Sequence, residues 1–324
     1  MIRRVTAFAV LIIAAIAAAA QTTDRVVRLG FVDPNARSKS IDSDEAFWQR
    51  LHDLGWVQGT NLIVVYRSAE GRPDLMPALM TDVLKSKIDV LVTASTPAAL
   101  AAKKATGTVP IVVLAMGDPI GTGLATSLAH PGGNLTGFSI ETTEEVTGKF
   151  LEFAQETVPR LSTLAVISNP DNPLNKRMIG HLNAAAAARR LTLRVFDVRA
   201  QQDLIPAFSA ARQAAQAALV LTDPLTVTHR KTITELAARY RIPTLYMLLE
   251  FTREGGLIAY GANQTAIRRR AAEYVDKILR GANPGTLPIE QPTQFRLVIN
   301  LKAAKAIGLT IPQSILLRAD EVIQ

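Results

Sequence analysis

The sequence predicts an α/β protein made of two doubly wound parallel-sheet lobes with a ligand cleft between them. Short apolar runs alternate along the chain with helix-forming segments, which is the pattern of a parallel sheet wound through crossover helices. The alternation breaks at the turn cluster 130–134 and then starts again, so two series of similar size follow each other. A chain of 324 residues also exceeds what one hydrophobic core usually serves.

The first series alternates strands and helices from residue 26 to residue 114. Its predicted elements are strand 26–32, helix 41–54, strand 61–66, helix 73–85, strand 90–93, helix 97–105 and strand 111–114. Phe47, Leu51 and Leu54 stand at helical spacing and predict the first helix, which Gly55 ends. Pro73 suits the first position of the second helix, because its missing N–H has no partner there in any case.

The second series has the same rhythm and predicts a second lobe. Its elements are strand 135–139, helix 143–158, strand 164–167, helix 174–190, strand 191–198, helix 203–214, strand 218–221, helix 228–239, strands 244–246 and 257–260, helix 266–279, a strand near 295–299 and two short helical pieces. We expect lobe 1 to comprise 26–137 and about 261–287, and lobe 2 to comprise 138–260 and about 288–324. No Gly/Ser-rich linker separates the halves, so short crossings suited to a hinge are expected.

The N-terminus predicts export. Arg3 and Arg4 precede a continuous apolar run at 7–17, and Ala18–Ala20 supplies small residues before Gln21, as in a secretory signal peptide over residues 1–20. An uncleaved anchor helix is the alternative interpretation. The chain has no cysteine, which excludes disulfides, thiolate metal sites and a lipid-anchoring cysteine. In a bacterium the expected location is periplasmic.

Composition and motifs argue against several function classes. Aromatic residues make up only 5% of the chain and the charge of +8 is dispersed, so no nucleic-acid partner is expected. The run 268–270 (RRR) is interpreted as a solvated helix face, and Glu250 and Glu254 as residues of a surface helix. No dinucleotide or phosphate-loop fingerprint is present, Ser139 lacks the glycine that a nucleophile elbow needs, and the four histidines lack ligand spacing. We therefore expect no cofactor, no metal and no catalytic residue.

Polar turns follow the strands of both series, and those within 89–124 are the most informative. Ligands bind at the carboxyl ends of parallel strands, where such turns lie. Ser95 and Thr96 start the helix 97–105, whose N-terminus can hold an anion such as a carboxylate. Asp118 and Asp223 can accept hydrogen bonds from an ammonium group. Acceptors and donors that converge from two lobes suit a small zwitterion or another polar organic molecule.

Seven short motifs in a fixed order carry a family resemblance. They are LGWVQGTNL at 54–62, AEGRP at 69–73, TASTPAA at 93–99, GDP at 117–119, PGGNLTGF at 131–138, YGAN at 260–263 and LLRADEVI at 316–323. Together they resemble the ABC transporter substrate-binding proteins of the tryptophan/tyrosine type, over essentially the whole chain from about residue 26.

The resemblance implies a type I periplasmic-binding-protein fold, no catalysis, and a permease and an ATPase of an ABC importer as partners. It implies a small-molecule ligand, with an amino acid, including an aromatic one, among the candidates. The ligand-binding residues it implies are Ser95, Thr96, Ala98, Gly117, Asp118, Asn169, Asp223 and Asn263. Phe31, Phe138 and Tyr246 are candidate cleft walls, although core packing explains each equally well.

Two other function classes are alternatives to a binding protein. A secreted α/β enzyme acting on a small carboxylate is the main alternative, and it would require a reactive constellation that the sequence does not show. A transcriptional regulator of this fold would carry a helix-turn-helix before lobe 1, where this chain has its signal-like segment.

Overall fold

A computed structural model describes residues 25–35, 43–140 and 144–324. The predicted signal peptide lies outside the described residues. Among the described helices, none has both the length and the apolar character that crossing a bilayer requires.

The first sheet contains five parallel strands in the order β2-β1-β3-β4-β5. The strands are β1 (Val27–Asp33), β2 (Leu62–Ser68), β3 (Val90–Thr93), β4 (Ile111–Met116) and β5 (Leu135–Ser139). The helices along this part of the chain are α1 (Ser43–Asp53), α2 (Met76–Leu84), preceded by a 3₁₀ turn at Pro73–Leu75, and α3 (Thr96–Ala105). The predicted strands and helices of this lobe are confirmed, with shifts of one to three residues at most ends.

The second sheet contains seven strands in the order β12-β11-β10-β9-β8-β6-β7. They are β6 (Thr163–Ser168), β7 (Thr192–Asp197), β8 (Ala217–Val220), β9 (Thr244–Tyr246), β10 (Ile258–Ala262), β11 (Phe295–Asn300) and β12 (Glu321–Ile323). Neighbouring strands are parallel except β10 and β11. The three-residue β12 was not predicted, because only its pairing with β11 makes that segment a strand.

The remaining helices connect these strands. They are α4 (Glu144–Thr157), α5 (Pro173–Ala188), α6 (Leu204–Ala214), α7 (Pro224–Thr228), α8 (Arg230–Arg239), α9 (Glu250–Arg253), α10 (Gln264–Leu279), α11 (Leu301–Ala306) and α12 (Gln313–Leu316), with 3₁₀ turns at Gln201–Asp203 and Pro284–Thr286. The helices α3, α5 and α7 begin in the same way, since Ser95, Asn172 and Asp223 each cap a helix that has proline in its first turn.

Each sheet is covered on both faces by helices. In the first lobe, α1 and α10 cover one apolar cluster and α2 and α3 cover the other. In the second lobe, α4, α5 and the C-terminal helices pack on one face and α6 and α8 on the other. The predicted fold class, two wound α/β lobes, is therefore what the structure shows.

The chain passes between the lobes at three places. After β5 it continues into α4, and after β10 it returns so that α10 packs against α1 and β4 of the first lobe. Glu290 then pairs with the first sheet, because its N–H donates to the Gly137 carbonyl and its carbonyl accepts from Ser139. Beyond Glu290 the chain enters β11 of the second sheet. These three short crossings form the connection between the lobes.

A glycine decides how closely β4 and β5 approach. Gly137 has a φ of +140°, and a Cβ at this position would lie 2.1 Å from the Val113 carbonyl oxygen. We expect Gly137→Ala to lower the free energy of unfolding by about 2–5 kcal/mol, since it adds both backbone strain and a backbone clash. Urea unfolding followed by circular dichroism measures this.

The matched control for that substitution is Gly180→Ala within α5, where a Cβ would meet nothing within 4 Å. We expect it to stabilise the protein by about 0.5–1 kcal/mol, as alanine does in a helix interior. Equal stability of the two variants would contradict the assigned close approach of β4 and β5.

Candidate ligand-binding site between the lobes

A cavity of about 60 Å³ lies where the carboxyl ends of the two sheets face each other. A water molecule needs about 10–15 Å³ of such space, so the cavity is several times larger than the space for one water. Its lining residues follow the ends of strands in both sheets. From the first lobe they are Pro34, Asn35, Ala94, Ser95, Thr96, Ala115, Gln264 and Arg268, and from the second Ile140, Asn172, Leu174, Thr222, Asp223, Pro224, Val227 and Leu248.

Ser95 shapes the wall that the first lobe contributes. Its φ is +78°, in the left-handed region that non-glycine residues seldom adopt. Its N–H donates to the Ala115 carbonyl over 2.7 Å, and its Oγ accepts from the N–H of Ala98 over 3.4 Å. Thr96 Oγ1 accepts from the N–H of Gly117 over 2.8 Å. The strained backbone turns the start of α3 towards the cavity.

Asp223 is the buried carboxylate of the second lobe, with 3% of its surface exposed. Its Oδ1 accepts from Asn169 Nδ2 (3.1 Å) and from the N–H of Leu225 (2.9 Å), while its Oδ2 accepts from Asn172 Nδ2 (3.0 Å). Burial raises the pKa of Asp223, although these hydrogen bonds act in the opposite direction. All three donors are neutral amides, so within the described part of the chain the negative charge is solvated but not neutralised.

Arg268 brings a buried positive charge to the first lobe's wall, with 2% of its surface exposed. Nε donates to Asp44 Oδ1 over 2.7 Å, and Nη1 lies 3.4 Å from both the Leu114 carbonyl and Gln264 Oε1. The interpretation of 268–270 as a solvated face is therefore wrong for Arg268. It holds for the exposed Arg269.

Glu250, interpreted as a residue of a surface helix, is half-buried in the structure. Its Oε2 is enclosed, and burial raises the pKa of this carboxyl. Arg268, Arg253 and Arg230 act electrostatically on it and oppose that shift. Glu254 instead forms an ion pair with Arg230.

The predicted site residues fall into three groups. Ser95, Thr96 and Asp223 line the cavity, and Asn169 holds Asp223 from behind. Ala98 is buried on α3 behind Ser95. The others lie outside the lining of this cavity: Gly117 and Asp118 stand at the contact between the lobes, and Asn263 lines a different cavity of about 240 Å³ beside the crossings. Ligand binding by these residues remains a prediction.

Five polar residues of the cavity were not among the predicted site residues, and one of them, Thr222, directly precedes Asp223. Asn35 and Asn172 belong to turns that follow strands, so the turn pattern could have identified them. Gln264 and Arg268 lie on a helix after the second crossing, and no local signal marks them. The candidate aromatic walls pack elsewhere: Phe31 stacks on Tyr66, Phe138 contacts Tyr274 and Tyr246 stacks on Phe251 in the cores.

The lobes touch each other at the rim of the cleft. Asp118 forms an ion pair with Arg177 of the second lobe, and its Oδ1 accepts from the N–H of Gly121. A Cβ on Gly117 would lie 2.1 Å from Leu174 of α5. A Cβ on Gly71 would lie 2.8 Å from the hydroxyl of Thr228. The structure thus shows the two lobes closed on the cavity.

Comparison with known families decides which class of protein carries this cleft. A family model described as ABC transporter substrate binding protein matches residues 31–323. The chain belongs to this family. The resemblance that the seven sequence motifs indicated is thereby confirmed.

Individual relatives agree with this assignment. A tyrosine-binding protein from Clostridioides difficile is 25% identical over 271 residues, which cover 83% of this chain and 78% of that protein. A conserved domain protein from Vibrio cholerae has a TM-score of 0.86 at 26% identity, over 92% of this chain and 100% of that one. The ABC domain of Streptococcus pneumoniae in complex with L-Trp has a TM-score of 0.82 at 22% identity, over 92% and 99%. These likenesses confirm the predicted two-lobed fold of periplasmic binding proteins.

The first testable consequence of the site concerns Asp33, which precedes the cavity residues Pro34 and Asn35. Burial raises the pKa of Asp33 from 3.8 to about 6, and Asp44 adds to this. Between those values the folded protein binds more protons than the unfolded chain, so stability falls as pH rises through this range. The full effect is about 3 kcal/mol.

We expect Asp33→Asn to remove this dependence. The free energy of unfolding of the variant and of the wild type is measured in urea at pH 4 and at pH 7. Relative to the wild type, the variant should be more stable at pH 7 than at pH 4, by up to about 3 kcal/mol. A difference that does not change with pH would contradict the assigned pKa of Asp33.

The second consequence concerns closure at Gly117. We expect Gly117→Val to hold the lobes further apart, because its side chain would collide with Leu174. The chain has no cysteine, so spin labels on Lys104→Cys and Lys176→Cys would be the only ones attached. Pulsed electron spin resonance should give a longer distance between the labels in the variant.

Gly107→Val is the matched control, since a Cβ at Gly107 would meet nothing within 4 Å. Its label distance should equal that of the otherwise unchanged protein. An unchanged distance in Gly117→Val would show that the Gly117–Leu174 contact does not limit closure.

Proposed function

We propose that the protein is the periplasmic substrate-binding component of an ABC importer. In this proposal it closes on one small amino acid in the cavity between the lobes and presents it to a permease with an ATPase. Membership of the family supports the binding role. The signal-like segment 1–20, known only from the sequence, supports the periplasmic location.

The observation that carries the proposal is the state of Asp223. A buried carboxylate usually has a cationic partner or shifts its pKa, because burying an uncompensated charge is costly. Asp223 accepts hydrogen bonds from two side-chain amides and one backbone N–H, and it lines the cavity. Among the described residues, no cationic side chain forms an ion pair with it. A ligand ammonium group would supply the missing positive charge. The donors from Asn169, Asn172 and Leu225 already orient the carboxylate for it.

The rest of the cavity matches an amino acid with an apolar side chain. Eight lining residues are aliphatic or proline, and they are Pro34, Ala94, Ala115, Ile140, Leu174, Pro224, Val227 and Leu248. The relatives point the same way, because one is named as a tyrosine-binding protein and another was solved with L-Trp. We therefore include L-tyrosine, L-tryptophan and L-leucine as the first ligands to test.

The proposal assigns no catalysis to this cavity. Ser95 is its only described serine, and the hydrogen-bond contacts of its Oγ go to the N–H of Ala98 rather than to a base. Ligand contacts to both lobes would instead favour the closed arrangement and thereby signal occupancy. The secreted enzyme acting on a small carboxylate remains the second candidate. Recovery of bound amino acid unchanged after prolonged incubation would argue against it.

The test is Asp223→Asn with binding measured by isothermal titration calorimetry. We expect at least about a 30-fold loss of affinity for the amino acid that the wild type binds, because the ligand ammonium would lose its charged partner. Asp197→Asn is the control, since Asp197 lies at the surface of the same lobe. Wild-type protein that bound none of the three amino acids would contradict the amino-acid assignment.

The same contact predicts a pH dependence of affinity. The ammonium group binds the ionised form of Asp223, so affinity should fall as the pH is lowered and the carboxylate is protonated. Because the pKa of Asp223 is raised, this loss should begin at a higher pH than for an exposed aspartate. Affinity that stays constant down to pH 4 would contradict a role of Asp223 in charge pairing.

A further inference from the structure

We propose that Arg268 binds the carboxylate of the ligand and makes the cavity select amino acids over the corresponding amines and amides. This inference rests on the proposed function, since it concerns the same cavity. It assigns the anionic half of the ligand to a residue that the sequence motifs do not include.

The position of Arg268 is the first argument. The residue lies on α10, which follows the second crossing and packs on the first lobe, and its side chain is 3% exposed. Among the described residues that line the cavity it is the one with a positive charge. Asp223 contributes the negative charge from the opposite lobe, so the two ends of a zwitterion have a charged counterpart on each side of the cleft.

The count of its N–H donors is the second argument. A guanidinium has five of them. Asp44 takes Nε, and the Leu114 carbonyl and Gln264 Oε1 lie near Nη1. Nη2 has no hydrogen bond to any described residue, yet it is not among the enclosed polar atoms that lack a partner. It therefore remains accessible, and the described cavity that Arg268 borders is the one between the lobes.

The start of α3 is the other candidate for an anion, and most of its donors are already used. Pro97 has no N–H, the N–H of Ala98 points to Ser95 Oγ, and the N–H of Ala99 donates to the Ser95 carbonyl. The hydroxyl of Ser95 and the N–H of Thr96 remain available. They can add neutral hydrogen bonds to a carboxylate, but Arg268 supplies the charge, and charge-assisted hydrogen bonds are the stronger kind.

Asp44 acts as the positioning residue for this guanidinium. Its ion pair with Nε fixes the side chain, and the carboxylate is itself only 14% exposed. With Nε held by Asp44 and Nη1 beside Leu114 and Gln264, the plane of the guanidinium has one orientation. One N–H of Nη2 runs parallel to Nε–H on the side of Asp44, and the other points out from the end of the group. A ligand carboxylate at Nη2 would complete the hydrogen bonding of the group.

The experiment compares ligands that differ only at the carboxylate. Wild-type protein is titrated by calorimetry with L-tyrosine, L-tyrosinamide and tyramine, and with the tryptophan and leucine series. We expect the amino acid to bind at least about 30-fold more tightly than its amide or amine. In Arg268→Gln that ratio should fall to about threefold or less, with the amine's own affinity little changed. Arg269→Gln is the control, because Arg269 is the exposed neighbour on the same helix.

Two outcomes overturn the inference while leaving the proposed function intact. One is wild-type protein that binds the amine as tightly as the amino acid. The other is an Arg268→Gln variant that keeps the full affinity ratio of amino acid to amine, which would assign the carboxylate to Ser95 and Thr96.

If Arg268→Gln does not fold, Arg268→Lys replaces it, and we expect an affinity ratio between those of the wild type and a variant with a neutral residue. A lysine variant that kept the wild-type ratio would overturn the assignment to Nη2.

A ligand that keeps the carboxylate but lacks the amino group distinguishes failure of this inference from failure of the proposed function. The probe is 3-(4-hydroxyphenyl)propionate. Suppose that the wild type binds this acid but no amino acid, and that Arg268→Gln does not bind the acid. That result would overturn the proposed function and support the role of Arg268. Wild-type protein that bound neither the acid nor any amino acid would contradict both.

Discussion

The carboxyl ends of the parallel strands of two sheets face each other in this protein, and the rest of the structure depends on that constraint. Neighbouring parallel strands are joined by a crossover, so they end at the same edge of the sheet, beside the start of the next helix. Ser95 follows β3 in the first lobe, and Asp223 follows β8 in the second. Polar turns that are local in sequence thereby become two opposed walls of one cavity.

The charges on those walls are what the family fold alone would not specify. Asp223 is surrounded by neutral donors, whereas Arg268 is anchored by Asp44 and keeps one end of its guanidinium accessible. Each is tolerated in a buried place because its immediate partners replace the hydration that it loses. Of the two, only Asp223 lacks an oppositely charged partner among the described residues, because Arg268 already has Asp44. A ligand ammonium group would supply that partner, and a ligand carboxylate would add hydrogen bonds to Arg268.

Closure of the lobes brings these two walls together. The contacts at the rim are few: the ion pair of Asp118 with Arg177, the packing of Leu174 on Gly117, and the approach of Thr228 to Gly71. The Arg177 side chain is 44% exposed, and ion pairs with a partner in solvent contribute little free energy, so the rim contacts alone give the closed state a small advantage. Under the proposed function, the ligand's contacts to both lobes would then decide the balance between open and closed forms.

The sequence by itself determined the alternation of elements, the two lobes and the family, because apolar periodicity and proline-capped turns are local properties. Ser95, Thr96 and Asp223 were predicted because they stand shortly after strands, and the structure places all three at the cavity, where ligand binding by them remains a prediction. Local pattern failed for Arg268, which belongs to an arginine run that looks like a solvated face. Only the tertiary structure decided its burial and its ion pair, because its partner Asp44 lies 224 residues away in the chain. Asp118 was misplaced for the same reason. It lies at the rim and not in the cavity, because it pairs with Arg177 of the opposite lobe, and no residue near Asp118 in the sequence predicts this contact.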